Sequence, residues 1–317
     1  MRGREGNNSR PIRVITSSVM TNELLDIGIQ PAGYRLPDDA RVGRVRLQVS
    51  DLDTSVAYYT RVLGFRVAAQ QGRVAELGPQ DGPVLVALHE RPGARPVPRR
   101  GLLGLYHFAI LLPDRAALGR FVAHLGEVGA YAGSADHLVS EALYLSDPDG
   151  LGIEVYADRS RGQWTRHGRE IAMTTAPLDL RALVRASGGE PWAGMPSGTT
   201  IGHVHFHVGA LDEAEAFYYS ALGFDKVVWS YPGALFFSAG GYHHHVGTNT
   251  WAAGAPAAGA DDARLLEWEL RLPHAKDMAA AAASAARAGY GVRIDDADRL
   301  ITDPWGTTVR LTQRSNP

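Results

Sequence analysis

Two stretches of the chain repeat the same order of hydrophobic and polar positions. Residues 45–67 (VRLQVSDLDTSVAYYTRVLGFRV) and 204–227 (VHFHVGALDEAEAFYYSALGFDKV) both begin with alternating apolar residues, which is typical of a strand with one buried face. Acidic residues then provide a helix start, because a carboxylate accepts hydrogen bonds from the first backbone N–H groups. Gly64 and Gly223 stand where a helix ends in the left-handed conformation. Each stretch therefore predicts a strand followed by a helix.

Two more divergent copies of this unit begin near Tyr106 and Glu267. Each has a helical stretch, at about 114–129 and 274–289, and each closes with a strand after an Asp-Pro turn. We therefore predict an α+β fold made of four βαβββ modules. The predicted modules span residues 41–91, 104–158, 201–252 and 265–313.

The rest of the chain is predicted to extend or connect these modules. Residues 1–37 are polar and interrupted by proline and glycine, which indicates a loosely ordered tail. Residues 159–200 are predicted to connect a first domain, 38–158, to a second domain, 201–317. Residues 253–262 (AGAPAAGADD) are typical of a flexible loop.

Composition narrows the class of protein. The chain has 317 residues and a net charge of −2, so it lacks the basic surface expected of a protein that binds nucleic acid or an anionic membrane. No run reaches the roughly 18 apolar residues of a membrane span, and the basic N-terminus lacks the apolar stretch of a signal peptide. Cysteine is absent, which excludes disulfides and thiolate chemistry. We predict a cytoplasmic protein.

Ligand-type side chains occupy one equivalent position in the first strands of the modules. In chain order this position holds Arg44, His107, His203 and Glu267. In the closing strands, the position seven residues after the aspartate of each Asp-Pro turn holds Glu154 in module two and Arg310 in module four. Modules two and three therefore supply two histidines and one carboxylate.

Two imidazoles and one carboxylate suit non-haem iron(II), because this set leaves adjacent coordination positions open. For a single histidine, the alternative is a hydrogen-bonded core residue. For Glu154, which lies at mid-strand between Ile153 and Val155, the alternative is an ion pair with an arginine. The coincidence of three ligand-type residues at equivalent positions favours a metal.

The segment from His137 to Glu154 (HLVSEALYLSDPDGLGIE) resembles the signature of extradiol dioxygenases. That signature has a histidine, a spacer, an aliphatic-Tyr pair, an acidic-Pro pair, a glycine and a metal-binding glutamate. The chain departs from it at Ala135. Residues 105–114 (LYHFAILLPD) and 240–251 (GGYHHHVGTNTW) are similar to bacterial two-domain catechol 2,3-dioxygenases.

The repeat as a whole, over about residues 41–313, resembles the glyoxalase, bleomycin-resistance and extradiol dioxygenase superfamily. This resemblance implies two domains of the glyoxalase/extradiol dioxygenase type in a homo-oligomer. It implies iron(II), with Mn(II) as the alternative, and opening of a catechol ring by O2 to a 2-hydroxymuconate semialdehyde-type product. The implied metal ligands are His107, His203 and Glu154, and the implied catalytic residues are His137, Tyr144 and His244.

Several of these roles have alternatives. The run His243–His245 is the place for a catalytic histidine, and its spacing to Gly247 favours His244, whereas an exposed loop is the alternative. For Tyr144 the alternative is core packing with its hydroxyl bonded to the backbone. Four aromatic residues are candidates for an apolar wall around the substrate, although aromatic residues are commonly plain core: Trp251, Phe206, Tyr242 and Phe237.

Two other functions fit the same scaffold. One is a glyoxalase-like isomerase or thiol transferase that uses zinc, nickel or manganese. Such sites typically carry two carboxylates or a glutamine among four ligands, whereas only Glu154 can be placed here. The other is a small-molecule binding protein without a metal, which would leave Glu154 and both histidines without a role.

The position of the ligands predicts how the modules pair. In familiar two-domain extradiol enzymes the last two modules form the metal site, but here module four carries Glu267 and Arg310 at the ligand positions. The metal must then lie between modules two and three. We therefore predict that module two packs against module three, within one chain or by exchange in a dimer.

Overall fold

The computed structural model describes residues 27–313. Most of the predicted tail, up to residue 26, lies outside this range. The remainder of the tail is packed rather than loose. Ile29 pairs with Lys226 through backbone hydrogen bonds of 2.8 and 2.9 Å, and Leu36 is buried in the hydrophobic core. These last residues of the tail therefore form part of the folded protein.

Each of the four modules consists of a strand, a helix and three strands. Module one comprises β1 (Arg41–Val49), α1 (Leu52–Arg61), β2 (Arg66–Gln71), β3 (Val74–Gly78) and β4 (Val86–Glu90). Module two comprises β5 (Gly104–Leu111), α2 (Arg115–Val128), β6 (Gly133–Asp136), β7 (Ser140–Ser146) and β8 (Gly152–Asp158). The α+β class and the four βαβββ modules are confirmed.

The second half of the chain adds a connector and two further modules. The connector contains a 3₁₀ turn (Arg161–Gln163), β9 (Arg166–His167), β10 (Glu170–Ile171) and α3 (Leu180–Ala186). Module three comprises β11 (Thr200–His207), α4 (Leu211–Ala214), a π-helical segment (Glu215–Ala221), β12 (Asp225–Val228), β13 (Ala234–Ser238) and β14 (Val246–Asn249). Module four comprises β15 (Arg264–Leu272), α5 (Ala275–Arg287), β16 (Val292–Asp295), β17 (Asp298–Thr302) and β18 (Thr308–Gln313).

The modules pair in a nested order to form two eight-stranded sheets. One sheet has the order β12-β13-β14-β11-β5-β8-β7-β6, so it joins modules three and two. The other has the order β16-β17-β18-β15-β1-β4-β3-β2 and joins modules four and one. Module two thus pairs with module three within one chain, through antiparallel β5 and β11. The domain limits 38–158 and 201–317 stay a prediction. Each sheet combines one module from each of these two predicted domains.

The main hydrophobic core lies between the two sheets. Phe206 on β11 and Trp268 on β15 are both buried, and their ring centroids are 6.2 Å apart. The helices begin as their sequences predict: Asp51 and Asp114 accept hydrogen bonds from the backbone of the first turns of α1 and α2. Within residues 27–313, no helix is long and apolar enough to cross a bilayer.

Candidate active site

Three adjacent strands at the centre of the sheet of modules two and three bring the predicted metal ligands together. Strand β5 runs parallel to β8 with Ala109 opposite Glu154, and antiparallel to β11 with Ala109 opposite His203. His107 lies two residues before Ala109, so its side chain projects from the same face of the sheet. The repeat-equivalent positions therefore converge in space.

The three side chains meet at one carboxylate oxygen. His107 Nε2 lies 3.0 Å and His203 Nε2 lies 3.1 Å from Glu154 Oε2. One ligand atom from each residue falls within 4.8 Å of the others, and all three residues are buried. Among residues 27–313, this is the one group of three or more His, Asp or Glu side chains with such a geometry.

The protonation states of these groups suit a divalent metal. Burial opposes ionisation of Glu154, but the two histidines outweigh it and hold the pKa of its carboxyl well below the usual range. Burial lowers the pKa of His203 to about 4, although Glu154 acts in the opposite direction. An ionised carboxylate and a neutral imidazole are the forms that bind metals.

Unpaired nitrogen atoms give a second test of this fit. Both ring nitrogens of His107 and Nδ1 of His203 are buried and lack a hydrogen-bond partner in the described part of the chain. Leaving a buried polar atom without a partner costs about 1–3 kcal/mol. His107 Nε2 lies near the Glu154 carboxylate but forms no hydrogen bond to it. A metal coordinated by this nitrogen would offset part of the cost of leaving it unpaired. The residues present therefore fit a metal.

The equivalent region of the other sheet is filled by ion pairs. Glu267, at the position of a ligand histidine, lies 2.8 Å from Arg310 and 2.9 Å from Arg46. Arg44, also at a ligand position, lies 3.1 Å from Glu269. Because guanidinium groups are cationic and have no free lone pair, the described residues of this sheet offer no comparable set of metal-binding atoms.

A cavity of about 370 Å³ opens beside the three candidate ligands. Its walls combine polar residues with aromatic rings, as is typical of small-molecule sites. They include His107, His137, Tyr144, Glu154, His205, His244, Tyr106, Tyr231, Phe236 and Trp251. The candidate catalytic residues His137, Tyr144 and His244 thus share one cavity with two of the candidate metal ligands.

His137 and Tyr144 form a short hydrogen-bonded pair in this cavity. Nδ1 of His137 lies 2.6 Å from the carbonyl oxygen of Thr174, which can only accept, so Nδ1 carries a proton. The other nitrogen, Nε2, lies 2.5 Å from the Tyr144 hydroxyl. In a neutral imidazole Nε2 then accepts a hydrogen bond from the Tyr144 hydroxyl. Burial, followed by the charge of Glu154, raises the pKa of Tyr144 well above its usual range.

The histidine run His243–His245 lies in a bend before β14 and is not part of a strand. Gly240 and Gly241 have φ of 61° and 65°, in the left-handed region that favours glycine, and they turn the chain ahead of the run. Strand alternation therefore does not determine the directions of these three side chains. Of the three histidines, His244 reaches the cavity.

His244 is buried beside the candidate metal site. Its ring centroid lies 4.0 Å from that of His203. Burial, together with the neighbouring histidines, lowers the pKa of His244 well below the usual range. A neutral imidazole in this position can accept a proton from a ligand in the cavity.

Of the four aromatic residues proposed as the substrate wall, Trp251 lines the cavity and is 52% exposed. Phe206 and Phe237 instead pack around Tyr218, with ring centroids 5.8 and 5.9 Å from it, in the core on the other side of the sheet. Tyr242 lies behind the histidine run and bonds to Asp158. The predicted wall therefore does not match the positions of Phe206, Phe237 and Tyr242.

Sequence reasoning missed several contributors to the cavity, among them Tyr106, Tyr231, Phe236, His205 and the connector. His205, two residues after His203, faces the same side of β11, and its Nε2 lies 3.0 Å from the side-chain amide of Asn249. The two-residue period of a strand predicts that His205 faces the same side as His203, so the sequence could have identified it. The connector supplies Met173 and Thr175 to the wall, and no repeat pattern marks these residues.

Comparisons with known proteins identify the family of the chain. The Glyoxalase/Bleomycin resistance protein/Dioxygenase superfamily model matches residues 41–155. A catechol-2,3-dioxygenase of Bacillus subtilis (strain 168) is 44% identical over 271 residues, which cover 84% of this chain and 95% of the relative.

Two solved structures show the same fold at low sequence identity. A proposed dioxygenase from Bacillus subtilis subsp. subtilis str. 168 aligns over 89% of this chain and 87% of its own, with a TM-score of 0.62 and 12% identity. Glyoxalase I from Zea mays aligns over 87% of this chain and 92% of its own, with a TM-score of 0.50 and 17% identity. At this identity the two structures support the fold alone.

Proposed function

The chain belongs to the glyoxalase, bleomycin-resistance protein and dioxygenase superfamily and is an extradiol-type dioxygenase; from this premise we propose that it uses iron(II) to open the ring of a catechol. The convergence of His107, Glu154 and His203 beside a cavity that also holds a histidine–tyrosine pair carries this proposal. The catechol-2,3-dioxygenase relative supports the substrate class.

His107, His203 and Glu154 would hold the metal. When bound, iron(II) would lower the pKa of coordinated catechol hydroxyls and supply the redox chemistry that dioxygen needs. The protein's part is to keep two imidazoles and one carboxylate in place. It does so by mounting them on the three central strands β11, β5 and β8, whose hydrogen bonds fix their spacing.

The other cavity residues would orient the substrate and move its protons. His244, neutral and buried, would accept a proton from a catechol hydroxyl. Tyr144 donates its proton to a hydrogen bond with His137 Nε2, so its hydroxyl oxygen would accept a hydrogen bond from a substrate hydroxyl while His137 holds Tyr144 in place. The faces of Tyr106 and Phe236 would pack against an aromatic ring. A cavity of about 370 Å³ has room for one substituted ring.

The connector would shield this chemistry from water. Ala176 pairs with Asp136 through two backbone hydrogen bonds of 2.9 Å, so the connector is tied to the edge strand β6. The Thr175 hydroxyl lies 2.9 Å from the Tyr231 hydroxyl on the opposite wall. These contacts place Met173 and Thr175 over the cavity. Exclusion of water strengthens electrostatic interactions inside a site.

Reconstitution with iron(II) under anaerobic conditions, followed by oxygen uptake and visible absorbance with catechol, tests the proposal. We expect oxygen uptake with a growing yellow product, and its loss in Glu154→Gln. Glu267→Gln is the matched control, because it removes a buried carboxylate charge from the other sheet. Metal binding without oxygen uptake across several catechols and hydroquinones would contradict ring cleavage. Failure to bind metal at all would contradict the metal site.

A further inference from the structure

A carboxylate and two imidazoles form a hydrogen-bonded chain that leads from a partly exposed position to the cavity wall. Asp158 Oδ1 lies 2.8 Å from His243 Nε2, and His243 Nδ1 lies 2.7 Å from His244 Nδ1. The Asp158 side chain is 26% exposed, whereas both histidines are buried. Asp158 follows Glu154 by four residues on β8, so both side chains leave the same face of the strand.

The chemistry of these groups fixes the direction of each hydrogen bond. An ionised carboxylate can only accept, so His243 donates from Nε2 to Asp158. A neutral imidazole carries one proton, so Nδ1 of His243 must then accept, and the donor to it is Nδ1 of His244. We propose that Asp158 is a positioning residue which, acting through His243, holds His244 with Nδ1 protonated and Nε2 free of a proton.

His243 is enclosed by aromatic rings, and Asp158 and Arg161 are charged groups near it. The His243 side chain is fully buried, with ring centroids of Tyr242 and Trp164 at 4.1 and 5.4 Å. The guanidinium of Arg161 lies over the same two rings, at 6.0 and 5.6 Å from their centroids, and adds positive charge nearby. A charged His243 would donate from both nitrogens and would force His244 into the opposite tautomer. The tautomer of His244 therefore distinguishes a neutral His243 from a charged one.

A second contact keeps Asp158 in place. The Tyr242 hydroxyl donates to the same Oδ1 atom over 3.2 Å, and the Tyr156 hydroxyl lies 2.7 Å from that of Tyr242. The carboxylate oxygen thus accepts both from the histidine chain and from a tyrosine pair. Because the two contacts can be removed separately, they provide a test and a matched control.

In this tautomer His244 can act as a base in the reaction. This consequence rests on the proposed function. The ring edge opposite Nδ1 carries Nε2, and His244 lines the cavity. An unprotonated Nε2 can accept a proton from a substrate hydroxyl, whereas a protonated one cannot. Asp158 does not line the cavity, so it acts through His243 and touches no substrate.

Long-range ¹H–¹⁵N spectra of the metal-free, ¹⁵N-labelled protein distinguish protonated from unprotonated imidazole nitrogens without any catalytic assay. We expect His244 to have a protonated Nδ1 and an unprotonated Nε2 in the parent protein. Asp158→Leu, which has a similar size and no acceptor, is expected to abolish this single tautomer. Asp158→Glu should restore it, and Tyr242→Phe should leave it unchanged. A parent His244 protonated at Nε2, or one unaffected by Asp158→Leu, would overturn the proposal.

Kinetics of the iron-loaded enzyme provide the second readout. Asp158→Leu is expected to lower kcat by about 10- to 100-fold, the range typical of a lost outer-shell partner, with the KM for catechol changed by less than about 3-fold. Asp158→Glu should recover most of kcat. An equal change in kcat for Asp158→Leu and Tyr242→Phe would indicate a merely structural role. If no variant and no parent protein cleaves catechol, the proposed function fails while the tautomer remains measurable.

Discussion

The hydroxyl of Tyr59 on α1 lies 3.3 Å from Asp147 Oδ2 in the Asp-Pro turn of module two. The same relationship recurs in the second half of the chain, where the Tyr218 hydroxyl lies 2.9 Å from Asp303 Oδ2. Modules that follow one another in the chain are therefore linked by a buried tyrosine–aspartate contact between the two sheets. Strand pairing, in contrast, joins modules two and three, and modules one and four.

Asp147 is expected to make stability fall as pH rises. Burial raises the pKa of its carboxyl to about 7, against the hydrogen bonds it accepts from backbone N–H groups. The unfolded chain releases this proton near a pKa of about 3.9. The contribution is therefore complete below about pH 4 and is lost as pH rises to about 7. Asp147→Asn removes this titration, because an amide keeps the acceptor oxygen without ionising.

Urea unfolding of the parent and Asp147→Asn across this pH range measures the effect. The free energy of unfolding of the parent minus that of the variant should decline by a few kcal/mol, because a pKa difference of one corresponds to about 1.36 kcal/mol. Asp303→Asn is a parallel variant, and its decline should end at a lower pH, since burial raises the pKa of Asp303 to about 6. A difference that stays flat or rises with pH would contradict the prediction.

The metal content should distinguish two neighbouring histidines of the same cavity. His107→Ala removes a proposed ligand, and we expect the affinity for iron(II) to fall by more than about 100-fold, because even outer-shell partners contribute about 10- to 100-fold. His205→Ala removes a ring 5.0 Å away that bonds to Asn249. The His205→Ala variant should keep about one metal ion per chain. Elemental analysis after equilibrium dialysis measures both, and equal losses would disprove the assignment of ligands.

His137 and Tyr144 should act as one unit. Their 2.5 Å contact means that either His137→Phe or Tyr144→Phe breaks the same hydrogen bond. We expect each single variant to lower kcat with catechol by about 10²-fold, and the double variant to be little worse than the slower single one. Tyr106→Phe, which removes another hydroxyl from the cavity and keeps the ring, is the control and should change kcat by less than about 3-fold. Additive losses would show that the two residues work independently.

Gly202, next to His203 on β11, is expected not to tolerate a side chain. A Cβ added there would lie 1.8 Å from the hydroxyl oxygen of Tyr156, which is fully buried. Gly202→Ala should therefore destabilise the protein by about 1–3 kcal/mol, as overpacking typically does. Gly126→Ala in α2 is the matched change, because nothing lies within 4 Å of its Cβ position. It should stabilise by roughly 0.5–1 kcal/mol, and thermal unfolding would reveal any reversal of this order.

The repeat made the convergence of the three candidate metal ligands predictable from the sequence. Each strand that follows an Asp-Pro turn returns beside the first strand of its module, so equivalent positions such as His107 and Glu154 must come close. Module four carries the charged residues Glu267 and Arg310 at the same positions, so it was excluded as a source of metal ligands. Pairing of modules two and three followed from chemistry, because only these modules supply His107, His203 and Glu154.

Side-chain direction was the part in which sequence reasoning failed, although the information was present. On β11, His203 and His205 alternate with Phe206, so Phe206 had to face the core once His203 faced Glu154. The same period on β8 places Asp158 on the face of Glu154. Tyr242 lies in a bend rather than in a strand, and no period predicts its direction.

The contribution of the connector could not be predicted. Its strands β9 and β10 contain two residues each, and it has no counterpart elsewhere in the repeat. The path that brings Thr174 to His137 depends on tertiary contacts, such as the pairing of Asp136 with Ala176. Local sequence signals do not specify contacts of this kind.

The nested pairing of the modules also bears on how the chain is made. All strands of the sheet that carries the proposed metal ligands lie at or before Asn249 in the chain. In the other sheet, one edge of β1 stays unpaired until β15 (Arg264–Leu272) has been synthesised. A polypeptide that stops after module three therefore contains every proposed ligand but leaves the edge of β1 open. Open strand edges pair readily with other chains, so such a fragment would be lost to aggregation rather than to missing chemistry.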